Sequence, residues 1–381
     1  MNYKHLLIVS DTRMHLVNGE YFAFNSVVSE LAVFVKLFET ITWIGFDHSD
    51  EPMDSTLLKM EYPQVKMILK PRSGGSSIKA KLNIVYHLFS YLKVIFQEAR
   101  KANVVHSRGP TGPMFLALIV SFIYRKPIWW FKYANNWNDS HAPFFWSLQR
   151  KMMIKNTASF GTVNGSWPNM PKHILAFENP CLDVIPNEAE LLKRKEFNPK
   201  LKLLFVGRIE DRKGYSLILE SIKSIPKERL ESLVFIGNGP DEQLLIEQIS
   251  SHPYSDQLFY LGAQSKKAVF KAMLESQFLL LPTSSSEGFP KVIAEAWCNG
   301  CVPIVMDISS IGQYVQDEVN GFICPTGDEI TYAAMLKKIL ELDSARYFEL
   351  VKSGLSQCHL FTYEHFEYRI KERIVSKVLA V

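Results

Sequence analysis

Residues Leu279–Val305 read LLLPTSSSEGFPKVIAEAWCNGCVPIV. A short aliphatic run stops at Pro282, a polar loop with one glycine follows, a helix-length segment comes next, and a second β-rich run, VPIVM (302–306), completes the unit. Apolar runs without alternation, separated by one helix, predict strands covered on both faces in a parallel sheet. The same rhythm extends upstream through LKLLFVG (201–207), SLVFIG (232–237), LFYLG (258–262) and FLLLP (278–282). It also runs through the first half of the chain: LLIVS (6–10), ITWIGF (41–46), NVVHS (103–107) and PIWWFKYA (127–134). Segment 79–101, with Leu88, Leu92 and Ile95 at helical spacing, predicts one of the covering helices. No fixed-period repeat is present, which excludes solenoids and propellers.

At 381 residues the chain is too long for one ordinary core, and two α/β domains of the doubly wound, Rossmann-like type are expected. With 47% hydrophobic and 22% charged residues, the composition is that of a globular protein. The expected division is an N-terminal domain over 1–183, a C-terminal domain over 184–361, and a helical segment over 362–381 able to return to the first domain. Between the domains, VIPNEAELLKRKEFNPK (184–200) has no strand signal and reads as a hinge linker.

In MNYKHLLIVSDTR, Asp11 and Arg13 come too soon for a signal-peptide core, so this start predicts a buried strand and no export. The longest near-apolar stretch, Met114–Tyr124, is about half of what a spanning helix needs, so no membrane span is expected. Five cysteines, an odd number, suit a reducing, cytoplasmic compartment, and Cys298 and Cys301 lack a second ligand pair and read as packing residues rather than a metal site. Residues 1–183 carry 20 Lys and Arg against 13 Asp and Glu, a net of +7, and the remainder 23 against 26, a net of −3. Such a basic half suits anionic headgroups or a pyrophosphate-linked acceptor. Peripheral contact with the inner face of an anionic membrane is therefore expected, with Trp129, Trp130 and Trp137 as its candidate aromatics. No nucleic-acid partner is expected.

Ligands of open α/β sheets bind outside the carboxyl ends of the strands. After the first strand of the second half come Gly207-Arg208 and then Lys213-Gly214. Glycine permits close backbone approach, the next helix start offers N–H groups, and two cations suit a diphosphate. The next junction, FIGNGPDEQLL, holds Gly237 and Gly239 but Glu242 where a dinucleotide fingerprint wants its third glycine, which disfavours a dehydrogenase. In the Leu279–Val305 segment, Glu287 can accept hydrogen bonds from sugar hydroxyls. The backbone of Gly288, Phe289, Pro290 and Lys291 opens a helix, and Glu295 follows about 12 Å along its axis, within reach of a ribose.

The E-G-F-P-x-V-x-x-E-A run (Glu287–Ala296), followed by G-x-x-P-I-V (Gly300–Val305), resembles the E-x7-E signature of GT-B retaining glycosyltransferases of family 4. Gly207-Arg208 with Lys213-Gly214, Gly237 to Pro240, Tyr260–Gly262 and Glu318–Asp328 resemble that family in order and spacing, over roughly 179–330. The resemblance implies a GT-B fold, two Rossmann-like domains facing a central cleft. It implies a UDP- or GDP-linked sugar as donor, with Arg208 and Lys213 on the diphosphate, Glu295 on the ribose and Glu287 on the donor sugar. The implied reaction is retaining, metal-independent hexosyl transfer without a cofactor, to a glycan or lipid-linked acceptor in surface polysaccharide biosynthesis. Consistent with metal independence, the sequence contains no D-x-D.

The first half departs from the family. Where a Gly-rich loop is usual stands Asn18-Gly19, and where a His is usual stand Lys132, Tyr133 and Asn135. His106 and Arg108, at another strand end, are further acceptor-side candidates. A sugar-nucleotide 2-epimerase of the same fold and an inactive sugar-nucleotide-binding subunit are the alternative readings.

Overall fold

The computed structural model describes residues 3–53, 56–72, 78–285, 287–325 and 327–376. Ser286 and Thr326, each inside a motif quoted above, lie outside the described residues. The chain divides into two compact units, Met1–Glu178 with Phe366–Val381, and Asn179–His365. The first boundary thus falls at Glu178 rather than Asp183, because Cys181 and Leu182 already bond to the Phe361 carbonyl of the second unit.

The first unit is built on β1 (Tyr3–Val17), β2 (Glu20–Phe24), β3 (Phe38–Asp47), β4 (Leu57–Lys59), β5 (Val65–Lys70), β6 (Val104–Gly109), β7 (Ile128–Tyr133), β8 (Phe160–Val163) and β9 (Ile174–Ala176). The sheet runs β4-β2-β1-β6-β7-β8-β9, with β3 on β1 and β5 on β3. The pairs joining β1, β3, β5, β6, β7, β8 and β9 are parallel, whereas β1–β2 and β2–β4 are antiparallel. The sheet is therefore mixed, which corrects the all-parallel expectation. The cause is that β1 does not stop at Ser10: its register on β3 breaks between Val9 and Arg13, and the strand then continues to Val17 as one arm of a hairpin.

Helices α1 (Asn25–Leu37), α2 (Ile78–Ala99), α3 (Gly112–Ile123) and α4 (Phe144–Lys155) complete the unit. Side chains of β7 alternate between two environments, as the period of a strand requires. Trp129 and Phe131 enter a core with Tyr91 and Ile95 of α2, Leu118 of α3 and Met153 of α4. On the other face, Trp130 meets Phe34 of α1 edge-on at 5.8 Å and donates its indole N–H to Thr162. The tryptophans read as membrane contacts are thus core residues, Trp129, Trp130 and Trp137 being 1%, 0% and 6% exposed. Bulk and β-propensity put Trp129 and Trp130 in a sheet that helices cover, and Trp137, in the turn after β7, packs on Tyr133. At the end of the chain, Phe366 packs on Phe34 and Phe177, and Arg369 donates to Glu178 at 3.0 Å.

In the second unit, β10 (Leu201–Val206), β11 (Leu230–Ile236), β12 (Leu258–Tyr260), β13 (Phe278–Leu281), β14 (Val302–Met306) and β15 (Phe322–Cys324) form a sheet in the order β12-β11-β10-β13-β14-β15, parallel throughout. Leu203, Phe205, Phe235, Phe278 and Ile304 fill one side, and Leu204, Ile236, Leu279 and Cys301 the other. The segment read as a linker holds a helix instead, α5 (Glu188–Arg194), whose N-terminus Asn187 caps by accepting from the Ala189 and Glu190 N–H groups. Leu191 enters the core, and the buried Lys195 ammonium donates to the carbonyls of Met273 and Leu274, both at 2.9 Å, and of Ser276. Further along come α6 (Tyr215–Ser221), α7 (Glu242–Ser251) and α8 (Lys266–Glu275), and these carbonyls end α8, where a cation offsets the negative end of the helix dipole. The polar look of 184–200 belongs to the outer face of a short helix. All five cysteines are free and buried. Among the described residues no helix is long and apolar enough to cross a membrane.

Candidate active site

The order of the second sheet reverses between β10 and β13, since β11 and β12 lie on one side of β10 and β14 and β15 beyond β13. Such a reversal opens a crevice at the carboxyl ends of the two middle strands. The β10 loop crosses toward β13 there. Asp211–Lys213 forms a single 3-10 turn, closed by Gly214 in the left-handed region at φ 83°. A side chain at Gly214 would lie 2.4 Å from the Pro282 carbonyl oxygen, so only glycine lets the loops touch. Ser284 donates from N–H and hydroxyl to the Arg212 carbonyl, at 2.9 and 3.2 Å.

The consequence is an ion pair between residues 74 apart: Lys213 Nζ donates to Glu287 Oε1 at 2.5 Å. The Lys213 side chain is 11% exposed and that of Glu287 45%, so a nearly enclosed ammonium is held by a carboxylate that solvent reaches. Ser285 also donates to Glu287 Oε1, at 3.4 Å, and Ser309 donates to the Glu287 carbonyl. A pocket of about 390 Å³ opens at the ends of β13 and β14, lined by Gly214, Pro282, Thr283, Ser284, Met306 and Asp307 among others.

Arg208 is reached by a different acid. Glu210 takes Arg208 Nε at 3.4 Å and Arg212 Nε at 2.9 Å. The Glu210 carboxylate, and after it Glu287, hold the Arg212 guanidinium above its ordinary range. Neither Glu210 nor Arg212 stood among the sequence candidates; the signal was the charge density of EDRK between two glycines.

Of the expected donor residues, the structure joins Lys213 and Glu287 and leaves Glu295 in other company. Glu295 lies on α9 (Lys291–Cys298), half-buried. Burial raises its carboxyl pKa, and Lys266 and Lys291 oppose that rise. Phe289 is a core residue, its ring stacked on Phe361 at 4.7 Å and edge-on to Tyr314 at 4.9 Å, so it offers the site backbone alone. Pro290 precedes the first turn of α9. Gly207 and Gly239 spend their N–H groups within the protein. The Gly207 N–H bonds to Ile236, and the Gly239 N–H is taken by Glu242 Oε1 at 2.8 Å, at the start of α7 (Glu242–Ser251). A side chain at Gly239 would meet the Ile209 carbonyl at 2.1 Å, so this glycine serves strand-end packing.

In the first unit, Asn18-Gly19 is the two-residue turn of the β1–β2 hairpin, with φ of 52° and 82°. Positive φ at both central residues defines a type I′ turn, for which Asn-Gly is the preferred pair. It is an exposed hairpin tip that extends β1, rather than a Gly-rich loop leading into a helix. Tyr133, 1% exposed, faces Trp137 at 5.4 Å inside the core and drops out as well, and burial lifts its phenol to about 12. Asn135 lies half-buried just past the end of β7.

Arg108 and Lys132 do come together, on an acid that sequence reading missed. Glu30 of α1 takes Lys132 Nζ on Oε2 at 3.1 Å and Arg108 Nη1 on Oε1 at 3.3 Å. Lys132 and Glu30 are buried, whereas the Arg108 side chain is 29% exposed and keeps an outward edge. A lone glutamate in an amphipathic helix gave no reason to pair it with residues 78 and 102 positions away.

His106 lies in the same layer but is enclosed, its ring 3.9 Å from that of Trp130 and its Nδ1 3.3 Å from the Trp130 carbonyl. Burial, and then Lys132, hold its pKa down at about 3, so it is a neutral packing residue and not an open site group. The unfolded chain takes up this proton from about pH 6.5 downward, while the native state refuses it until near pH 3. This contribution is therefore complete above pH 6.5 and lost as pH falls. His106→Phe is expected to flatten the acid limb by roughly 2 kcal/mol between about pH 7 and pH 5, read by urea unfolding of both proteins. Parallel acid limbs would show that the ring is solvated.

Residues 187–351 match the family model described as glycosyl transferases group 1. The chain is 22% identical to the amylovoran biosynthesis glycosyltransferase AmsK of Erwinia amylovora over 52% of its own length and 50% of that protein, so it spans about half the length of this curated relative. It is 23% identical to a Campylobacter jejuni α-1,4-N-acetyl-D-galactosaminyltransferase named for a diNAcBac-PP-undecaprenol-linked acceptor, over 59% of this chain and 62% of that one. In three dimensions it is similar to HepE of Anabaena, solved with UDP, with a TM-score of 0.71 at 13% identity, covering 98% of this chain and 100% of that one. The fold of this chain is that of the GT-B glycosyltransferases, with the glycosyl transferases group 1 family matched over residues 187–351.

Proposed function

We propose that this protein is a glycosyltransferase that moves a hexose from a UDP- or GDP-linked sugar to a glycan or lipid-linked acceptor in surface polysaccharide assembly, with retention and without a metal or cofactor. The observation that carries the reading is the Lys213–Glu287 pair at the reversal of the second sheet. Breaking a glycosyl–phosphate bond builds negative charge on the leaving diphosphate, and a preorganised cation there lowers the barrier. Lys213 and Arg208 supply that charge, which is why no divalent ion is required. Glu287 orients the ammonium and offers its second oxygen to a sugar hydroxyl, while Glu295 is assigned to the ribose. On the first unit, Arg108, backed by Glu30 and Lys132, is the cation proposed to meet an acceptor phosphate. The names of the AmsK and Campylobacter enzymes, and the HepE complex with UDP-glucose, support this substrate class.

The test is a thermal-shift series with UDP- and GDP-sugars, followed by transfer assays with and without a chelator. A donor at about a hundred times its Kd is expected to stabilise the native state by roughly 2.7 kcal/mol. Arg208→Ala should weaken that stabilisation. No shift with any nucleotide sugar, or full transfer by Glu287→Ala, would refute the assignment; conversion of the nucleotide sugar without acceptor would identify an epimerase instead.

A further inference from the structure

Helices α2, α3 and α4 cover one face of the first sheet and share one core. They pack side by side, tied by Phe96 to Tyr124 at 5.5 Å and by Phe115 to Phe145 at 4.9 Å. Their outer surface is not what a water-facing layer requires. Phe89 is 75% exposed, Ile123 76% and Phe144 83%, with Phe96 and Phe145 also exposed. On α2, positions 89, 93, 96 and 100 are one helical stripe, and Phe89, Lys93, Phe96 and Arg100 are all exposed along it.

Charge sets this face apart. Residues 87–155 hold ten Lys and Arg against two Asp and Glu, and of the ten Arg108 and Lys132 belong to the Glu30 cluster and Lys101 pairs with Glu98. Lys93, Arg100, Arg125, Lys126, Lys151 and Lys155 have no carboxylate partner among the described residues. By contrast Ile330 of the second unit, 84% exposed, stands beside Asp328 and Glu329. Aromatic and aliphatic tips among unpaired cations fit a layer that is anionic at its surface and apolar beneath. A protein partner of ordinary composition offers no such uniform negative field.

We propose that the outer face of α2, α3 and α4 is a docking surface for an anionic phospholipid bilayer. Phe89, Ile123 and Phe144 enter the headgroup layer, and the surrounding lysines and arginines meet lipid phosphates. This surface replaces the buried tryptophans as the membrane-contact site and deepens the lipid-linked acceptor reading, yet it is tested apart from it.

The experiment is co-sedimentation of the full chain with phosphatidylglycerol–phosphatidylcholine vesicles and with phosphatidylcholine alone. Binding is expected on the anionic vesicles only, and to fall as salt is raised. A variant carrying Arg125→Gln, Lys126→Gln, Lys151→Gln and Lys155→Gln should lose at least about tenfold in partition. Phe89→Ser with Phe144→Ser should lose a comparable factor, and both variants should keep the parent unfolding midpoint and response to UDP-glucose. Equal binding to neutral vesicles, or undiminished binding by both variants, overturns the proposal. So does a dimer in sedimentation velocity that both variants dissolve, which would assign the face to a second copy. Loss of the UDP-glucose response in the unmodified protein would strike the donor reading alone.

Discussion

Glu30→Ala is expected to lower the unfolding free energy by about 3–5 kcal/mol, the cost of leaving a buried charge without its partner. The side chains of Glu30 and Lys132 are 4% and 5% exposed, and the carboxylate holds both Lys132 and Arg108. The Lys132 ammonium also lies over the Phe366 ring, 5.5 Å from its centre. A cation–π contact contributes about 0.5–2 kcal/mol and does not replace an ion pair. Arg108 suffers less, because its outer edge rehydrates. The double variant Glu30→Leu with Lys132→Met is expected to recover most of the loss, since a matched buried pair can be exchanged for apolar residues at little cost. Urea unfolding followed by circular dichroism measures both. A loss for Glu30→Ala below about 1 kcal/mol, the range of a surface pair, would show that water reaches the cluster.

Lys213→Met is expected to reduce kcat by about 10²–10³ while leaving stability nearly unchanged. The asymmetry of the pair explains the second half of that expectation. Glu287 is 45% exposed and rehydrates when its partner goes, whereas Lys213 is 11% exposed and does not. Glu287→Ala should therefore lower both stability and rate, and Glu287→Gln, which keeps an oxygen for the ammonium, should spare stability while still lowering rate. Comparing unfolding midpoints with single-turnover transfer separates the two effects. Lys213→Met working at the parental rate would remove this ammonium from the reaction, and equal destabilisation by Lys213→Met and Glu287→Ala would contradict the exposure difference.

Much of the second unit was legible in the chain. Five of its six strands, and the order of Gly207, Lys213, Glu287 and Glu295 along it, follow from apolar runs and from glycines and charges at their ends. Those are local signals, and a fully buried parallel strand writes them strongly. The Asn18-Gly19 turn is also written locally, as the preferred pair of a type I′ hairpin turn. The helix over Glu188–Arg194 was hidden because charge on its outer face outweighed the single leucine it buries.

By itself the sequence determined that this is a two-unit α/β protein with a basic first half and a set of cations and acids at strand ends, because periodicity, composition and loop chemistry are properties of neighbours in the chain. Only the tertiary structure decided which of those groups meet. It joined Lys213 to Glu287, gave Arg208 to Glu210, set Arg108 and Lys132 on Glu30, and put the tryptophans inside and Phe89 and Phe144 outside. Strand order, loop crossing and the cover of each sheet face set those meetings, and none of them is encoded in the spacing of residues along the chain.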